Sequence, residues 1–370
     1  MRFSTMVMLC EEQRVKFKIP LPDDIMAIYR MFKQNGRELY VVGGAVRDSL
    51  LGKTPKDFDL ATDAEPDDVL EMAKAEGFDT LEVGKAFGVV LVMGHEIATF
   101  RKDIGKGRRP DAVAFTDIRG DVSRRDLTIN ALFYDIDSQE IVDLVGGIED
   151  LKNKVIRTVG EPNERFDEDP LRKLRALRFA SSTGFTLDDS VLLSIKKNPD
   201  ISGVSPERIK MEFFTGLEKS RDMPFYMKLA EETGLLPQIL PGLKIDTNYP
   251  ETQNIIVLLA YILRGNSVDT VSKVLKQIKY QNNEVAGISF LIQMGAFNPR
   301  NILAYKKMQA KSALDPSAIN EYGNLIGEDF SKFLSFELSV KGSDLMGSGL
   351  KGPEIGKAIA NMEYEKYIQQ

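Results

Sequence analysis

Read as a string of apolar and polar positions, the chain changes character once. Up to about residue 150, short apolar runs alternate with helical stretches. Residues 22–36 (PDDIMAIYRMFKQNG) set Ile25, Ile28 and Phe32 at helical spacing, with Asp near the start and Gly36 at the end, and so predict a helix. ELYVVGGAVRDSLLG predicts a strand, a Gly-Gly turn and a helix, and DFDLATD a second strand. PDDVLEMAKAEGF has a Pro start and a Gly stop and predicts another helix. GVVLVMGHEIATFRK predicts two strands joined at Gly94-His95, and RDLTINALFYDID a helix running toward a further strand. Beyond Asp150 the pattern turns helical: DEDPLRKLRALRFASSTGF lines up Leu171, Leu174 and Leu177, and SPERIKMEFFTGLEKS offers Ser205 as cap and Pro206 as first residue of a helix. The expectation is an α/β head at 1–150 and an all-helical body at 151–370, without repeats or low-complexity segments.

Composition narrows the classes. At 370 residues there is ample chain for a core and for two or three domains, and 43% hydrophobic with 28% charged residues is ordinary for a soluble globular protein. No run of about 18 apolar residues exists, and the opening MRFSTMVMLCEEQRVKFK lacks the apolar core and small-residue cleavage site of a signal peptide. The single cysteine, Cys10, excludes an intramolecular disulfide and fits a reducing cytoplasm. The single histidine, His95, excludes a His-rich zinc site. With a net charge of −6, a nucleic-acid partner would need a local basic surface.

The chemistry concentrates early. Asp57 and Asp59 stand one residue apart in an expected strand, so both carboxylates share a face beside apolar Phe58 and Leu60. Just upstream, Gly43-Gly44 allows close backbone approach and offers N–H groups to an anion, and Arg47 follows on the opening turn of a helix. Paired carboxylates suit divalent metal ions, and an anion cradle beside a metal site is the layout for phosphoryl or nucleotidyl transfer. The blander alternative is a tight turn and a solvated strand face.

GGAVRDSLLGKTPKDFDLAT (43–62) resembles the first motif of the class II tRNA nucleotidyltransferase and bacterial poly(A) polymerase family, within the polymerase-β-like nucleotidyltransferase superfamily. RRDLTINAL (124–132) resembles its second motif, DEDPLRKLRALRF (167–179) its nucleotide-selecting motif, and SPERIKMEF (205–213) a later structural motif. The order is the family's, and the resemblance spans about residues 37–220. It implies an α+β protein: a polymerase-β-like nucleotidyltransferase head of mixed sheet and helices at 1–150, a helical nucleotide-selecting neck at 151–222 and a helical tRNA-binding body at 223–370.

The resemblance further implies that Asp57 and Asp59 bind two magnesium ions, one activating a primer 3′-hydroxyl and one holding a triphosphate, with Glu96 a candidate third carboxylate. Arg124 and Arg125 would supply charge for the triphosphate, and Asp126 and Asn130, i and i+4 if a helix begins there, would hold the ribose or the turn. Asp169 and Arg172 are i and i+3 at an expected helix start. A carboxylate accepts and a guanidinium donates, so together they match the amino donor and ring-nitrogen acceptor that cytosine and adenine share. Uracil and guanine present the reverse, at a cost of roughly 1–3 kcal/mol per mismatched buried group. Arg175 would stack on the base or touch phosphate, and Arg178 is implied near the nucleotide or anchors the fold.

The basic, Gly-containing stretch 99–115 (TFRKDIGKGRRPDAVAF) reads as a mobile loop, placed where the family has a flexible loop that helps the switch from C to A addition. It is slightly short but not deleted, which supports complete CCA addition from CTP and ATP. The implied partner is the stacked acceptor arm of tRNA, met through Lys and Arg in 151–178 and 207–222, whereas the charge run at 304–311 reads as a solvated helix face. Rival readings are an A-adding or CC-adding enzyme, a poly(A) polymerase, or a non-catalytic RNA- or nucleotide-binding relative.

Overall fold

A computed structural model describes residues 10–104, 112–345 and 350–370, and the chain divides into two units, Met1–Ile201 and Ser202–Gln370. The first unit runs β1 (Gln13–Lys16), α1 (Asp23–Gln34), β2 (Leu39–Val42), α2 (Gly44–Leu50), β3 (Asp59–Thr62), α3 (Pro66–Ala75), β4 (Thr80–Gly84), β5 (Val89–Val92), β6 (His95–Thr99), β7 (Arg101–Ile104) and β8 (Ala112–Phe115). It continues with α4 (Ile118–Ser123), β9 (Phe133–Asp135), β10 (Glu140–Asp143), α5 (Gly147–Asn153), β11 (Val155–Ile156), α6 (Pro162–Glu168), α7 (Leu171–Thr183), β12 (Thr186–Leu187) and α8 (Asp189–Lys197).

Eight of these strands form one mixed sheet in the order β1-β10-β9-β2-β3-β6-β5-β4, with only β3 and β6 parallel. Its two faces follow from alternation along each strand. Tyr134, Val41, Leu60, Ile97 and Val90 form a buried row across five strands on one face. The other face carries Tyr40, Val42, Ala61, Phe133 and Val142, packed with Phe100, Val122, Leu144 and Val159. Tyr40, Phe100 and Phe133 meet there with ring centroids 5.9–6.2 Å apart. Helices α1 and α3 pack on each other and on the sheet through Ile25, Ile28 and Phe32 and through Val69 and Met72.

The second unit is helical throughout its described residues: α9 (Pro206–Lys219), α10 (Met223–Glu232), α11 (Leu236–Ile239), α12 (Ile255–Leu263), α13 (Val268–Gln277), α14 (Asn282–Met294), α15 (Ile302–Ser312), α16 (Pro316–Ile326), α17 (Ser331–Ser335) and α18 (Pro353–Gln369). Its centre is α12 (IIVLLAYIL), apolar all round and covered by α14 and α16. Asn254 caps α12 by accepting from the Ile256 and Val257 amides at 3.0 and 3.3 Å. Ser205 stands at the N-cap of α9 but makes no side-chain capping bond. No helix among the described residues is long and apolar enough to cross a membrane.

The helix expected through RDLTINALFYDID is absent. Helix α4 ends at Ser123, Leu127 is extended at φ −121° and ψ 142°, and Thr128–Asn130 makes a single 3₁₀ turn before β9. The reason is competition: Thr128 donates its amide to Arg157 O at 3.0 Å and Asp126 O accepts from Val159 at 3.1 Å, so the backbone pairs with residues 157–159 rather than with its own preceding turn. The helix expected through DEDPLRKLRALRF is broken at Asp169-Pro170, where Asp169 is extended and α7 starts afresh. The β5–β6 turn falls on Met93-Gly94, one residue earlier than expected, with φ of +52° and +84°, the geometry of a two-residue hairpin turn. Of the expected loop 99–115, the flanks form a ribbon pairing Arg101 with Phe115 and Ile104 with Ala112, and 105–111, with most of the KDIGKGRR run, lies outside the described residues.

Candidate active site

The register of the sheet builds the site. Val42 lies opposite Asp59 on one side and opposite Phe133 on the other. One end of the sheet therefore carries the Gly-Gly turn leaving β2, the aspartates entering β3 and the 124–132 segment arriving at β9. Gly43 sits at φ +68° and ψ −119°, a conformation that disfavours any side chain. Its N–H donates to Leu132 O at 3.1 Å, so that amide is held by the fold. A Cβ at Gly43 would lie 3.6 Å from both Arg125 Nη1 and Asn130 O, and one at Gly44 3.8 Å from Arg47 Nη2.

Asp57 and Asp59 are exposed, alternating with buried Phe58 and Leu60, but β3 begins only at Asp59, so Asp57 stands just ahead of the strand and not within it as expected. Neither accepts a hydrogen bond among the described residues. Water reaches Asp59, yet crowding by the protein raises its carboxyl above the usual range; Arg125 opposes that rise and Asp57 adds to it. Magnesium takes one or two carboxylates and completes its shell with phosphate and water oxygens, so an open pair that no donor among the described residues occupies fits it. Glu96 is exposed on β6, the strand beside β3. No three His, Cys, Asp or Glu side chains among the described residues are grouped to hold one ion, so the pair stands without Glu96.

The basic groups are held differently. On α2, Arg47 donates through Nη1 to Asn130 Oδ1 and through Nε to Asp48 Oδ1 at 2.9 Å. Asp121, 1% exposed within α4, grips two arginines: its Oδ1 is 2.7 Å from Arg124 Nη2 and its Oδ2 2.9 Å from Arg125 Nη2. Burial pushes the Asp121 carboxyl up, but Arg125 and Arg124 outweigh it and hold it below the usual range. Arg125 also donates to Asn130 O at 3.4 Å and lies 4.6 Å over the Phe133 ring.

Asp126 accepts from its neighbour Leu127 N at 2.7 Å and from Arg175 Nε at 2.6 Å. Burial acts to raise its carboxyl, and Arg175 overrides this and lowers it. Asp126 and Asn130 thus face different partners, Arg175 and Arg47, and are not neighbours on one helix face. Asp169 is buried just ahead of α7, its Oδ1 accepting from Leu171 N at 3.1 Å. Arg172 donates Nη1 to Glu168 Oε2 at 2.7 Å and to Arg165 O at 3.3 Å, and Nη2 to Arg124 O at 2.9 Å. Glu168, not Asp169, is the carboxylate that holds Arg172; Asp169 is itself extended and turns its Oδ1 to the Leu171 amide. Arg178 lies 4.3 Å over the ring of Phe179.

The structure thus gathers Gly43, Arg47, Asp57, Asp59, Arg125 and Asn130 at the sheet end and ties α7 to them through Arg175–Asp126 and Arg172–Arg124. Sequence reasoning missed Asp121, Glu168 and Phe179. The GDVSRRD run, with Asp121 three and four residues ahead of the arginines, was the available signal for the first. In the second unit a cavity of about 650 Å³ is lined by Glu207, Glu218, Glu284, Lys210, Phe214 and Tyr280, a carboxylate-rich surface unsuited to polyphosphate.

Comparison with known proteins places these features. The Poly A polymerase head domain family matches residues 39–157, and the family described as the probable RNA and SrmB-binding site of polymerase A matches 184–246. The CCA-adding enzyme of Leuconostoc mesenteroides is 32% identical over 92% of this chain and 91% of its own length, and that of Enterococcus faecalis 32% identical over 91% and 89%. The crystal structure of the Bacillus stearothermophilus CCA-adding enzyme in complex with CTP superposes with a TM-score of 0.66 at 27% identity, covering 94% of this chain and 96% of that one. With relatives matched nearly end to end and the sheet-end site falling inside the matched head, the chain belongs to the CCA-adding enzyme family.

Proposed function

We propose that this protein adds C, C and A in turn to the 3′ end of tRNA, from CTP and ATP, without a nucleic-acid template. The observation that carries the reading is the carboxylate pair Asp57–Asp59, open and without hydrogen-bond donors among the described residues, beside the Gly43 turn, in a chain of this family. The 3′-hydroxyl of the tRNA gives its proton to solvent and its oxygen attacks the α-phosphorus of the nucleotide, a new P–O bond forms, the bond to the β-phosphate bridge breaks and pyrophosphate leaves. Asp57 and Asp59 would hold two magnesium ions, which when bound lower the pKa of the attacking hydroxyl and neutralise triphosphate charge. Arg47, Arg124, Arg125, Arg175 and Arg178 present the triphosphate with fixed cations, so little reorganisation accompanies transfer.

Base choice rests on Asp169 and Arg172. The bonds of Arg172 to Glu168, Arg165 O and Arg124 O use both Nη1 hydrogens and one on Nη2, and leave Nε–H and the other Nη2–H to donate. Those donors and the Asp169 carboxylate suit the amino and ring-nitrogen edge common to C and A. The Bacillus stearothermophilus enzyme in complex with CTP supports CTP as one substrate. The helical part, 223–370 with the neck 151–222, serves the tRNA acceptor arm, and the reaction belongs in the cytoplasm.

The test uses tRNA transcripts ending before CCA, after C and after CC, each with magnesium and single or paired nucleotides. Extension of all three to CCA and no further is expected. Addition of only A or only CC would move the protein to a partial activity, a long A tail on unrelated RNA would make it a poly(A) polymerase, and no incorporation would make it a binding protein.

A further inference from the structure

Phe179, on α7, is apolar and 8% exposed, and on those grounds alone it is an ordinary core residue. What surrounds it is not ordinary. The guanidinium carbons of Arg178, Arg47 and Arg175 lie 4.3, 5.1 and 5.7 Å from its ring centroid. Two of these arginines come from α7 and the third from α2, so the ring is where the helix after the Gly-Gly turn meets the helix of the third motif. Arg47 is also steered by Asn130 and Asp48, and Arg175 by Asp126. Three like charges brought to one point repel one another, and the ion pairs of Arg47 with Asp48 and of Arg175 with Asp126 offset part of that. A hydrophobic filler would not offset the rest, whereas an aromatic ring presents an electronegative face to each cation. A cluster of cations held at fixed spacing is also what a triphosphate requires.

We propose that Phe179 is a positioning residue that gathers Arg47, Arg175 and Arg178 into one triphosphate-binding cluster through the faces of its ring. The proposal rests on the nucleotidyl-transfer reading above. It separates Phe179 from the surrounding core: the volume of the side chain serves packing, and the electron density of the ring serves nucleotide affinity.

The experiment replaces Phe179 with phenylalanines carrying one, two and three ring fluorines, which withdraw electron density from the face at nearly constant size, and adds Phe179→Leu and Phe179→Tyr. For each, equilibrium binding of CTP and of ATP is measured without tRNA, KM and kcat with tRNA lacking its terminal nucleotides, and Tm. Expected is a graded loss of affinity for both nucleotides along the fluorinated series, reaching roughly tenfold in Kd and KM with Phe179→Leu. Tm should hold through the series, kcat should change far less than KM, and Phe179→Tyr should restore affinity. Affinities indifferent to fluorination would overturn the proposal, as would a loss in Phe179→Leu that follows Tm alone, or one confined to kcat. If the unsubstituted enzyme transfers nothing to tRNA yet binds nucleotide with the graded dependence, the tRNA reading fails and this inference stands. Normal transfer to tRNA with no gradation would overturn this inference and leave the tRNA reading intact.

Discussion

Two sets of aspartates lie in the head, and their surroundings are opposite. Asp57 and Asp59 open onto solvent and accept no hydrogen bond among the described residues, and the Asp59 carboxyl is pushed up, chiefly by the protein crowding it and in smaller part by Asp57, against the pull of Arg125. Asp121 and Asp126 are enclosed, each gripped by arginine, and their carboxyls are pushed down despite burial. The difference teaches that the protein neutralises the second set by itself and leaves the first to be neutralised by something it binds. An uncompensated pair is a cost in the absence of that ligand, and a compensated one is part of the scaffold.

Breaking the open pair should have the largest effect. Asp57→Ala and Asp59→Ala are each expected to lower turnover by at least about 10³-fold with nucleotide binding and folding retained. Asp59→Asn should moreover raise the Tm of chelator-treated protein at pH 7, because it removes a repulsion; a fall in Tm would equate the two sets and defeat the comparison. In the enclosed set, Asp121→Asn strands Arg124 and Arg125 and should cost about 3–5 kcal/mol, read as a drop in Tm of roughly 10 °C.

Arg172→Ala sharpens the comparison at the base-reading end. It should raise misincorporation of UMP and GMP about 10- to 100-fold in competition assays, and unchanged selectivity would remove Arg172 from base reading. The smallest effect concerns pH. The folded Asp126 carboxyl lies below its unfolded value, so its contribution is fully present above the unfolded pKa and is lost as pH falls through the folded one. The Tm gap between wild type and Asp126→Asn should therefore hold above about pH 5 and narrow below about pH 4. A gap that widens on acidification would mean that the Arg175 pair does not stabilise the fold.

The open set was legible in the sequence, whereas of the enclosed set only Asp126 was singled out, and without its partner Arg175, for a physical reason. Asp57 and Asp59 declare themselves locally, because alternation with apolar Phe58 and Leu60 marks both as exposed whatever surrounds them. The Gly-Gly turn is equally local, since only the backbone torsion at Gly43 is at stake. The pairing of Asp121 with Arg124 and Arg125 is local, but its burial, which makes the pairing matter, depends on what packs over α4, and the role of Phe179 depends on α2 arriving beside α7. Neither that burial nor that role is a property of one segment. RDLTINAL misleads for the same reason: its residues permit a helix, and residues 157–159 take its backbone bonds instead. Strand β1 escapes a reading by pattern because four residues with one partly buried position show little alternation, and its partner β10 lies far along the chain.

That distant partner has a consequence during synthesis. Val42 is flanked by Asp59 and Phe133, and β1 by β10 at residues 140–143. A ribosome that has released the aspartates has not yet released the strand that completes their platform. The sheet end can form only after more than half of the first unit has emerged, whereas the helices beyond Ser202 rely more on nearby partners. Stalled or truncated chains ending before β9 would thus display the two aspartates on an unfinished sheet, exposed to pairing with other chains and unable to act on a nucleotide.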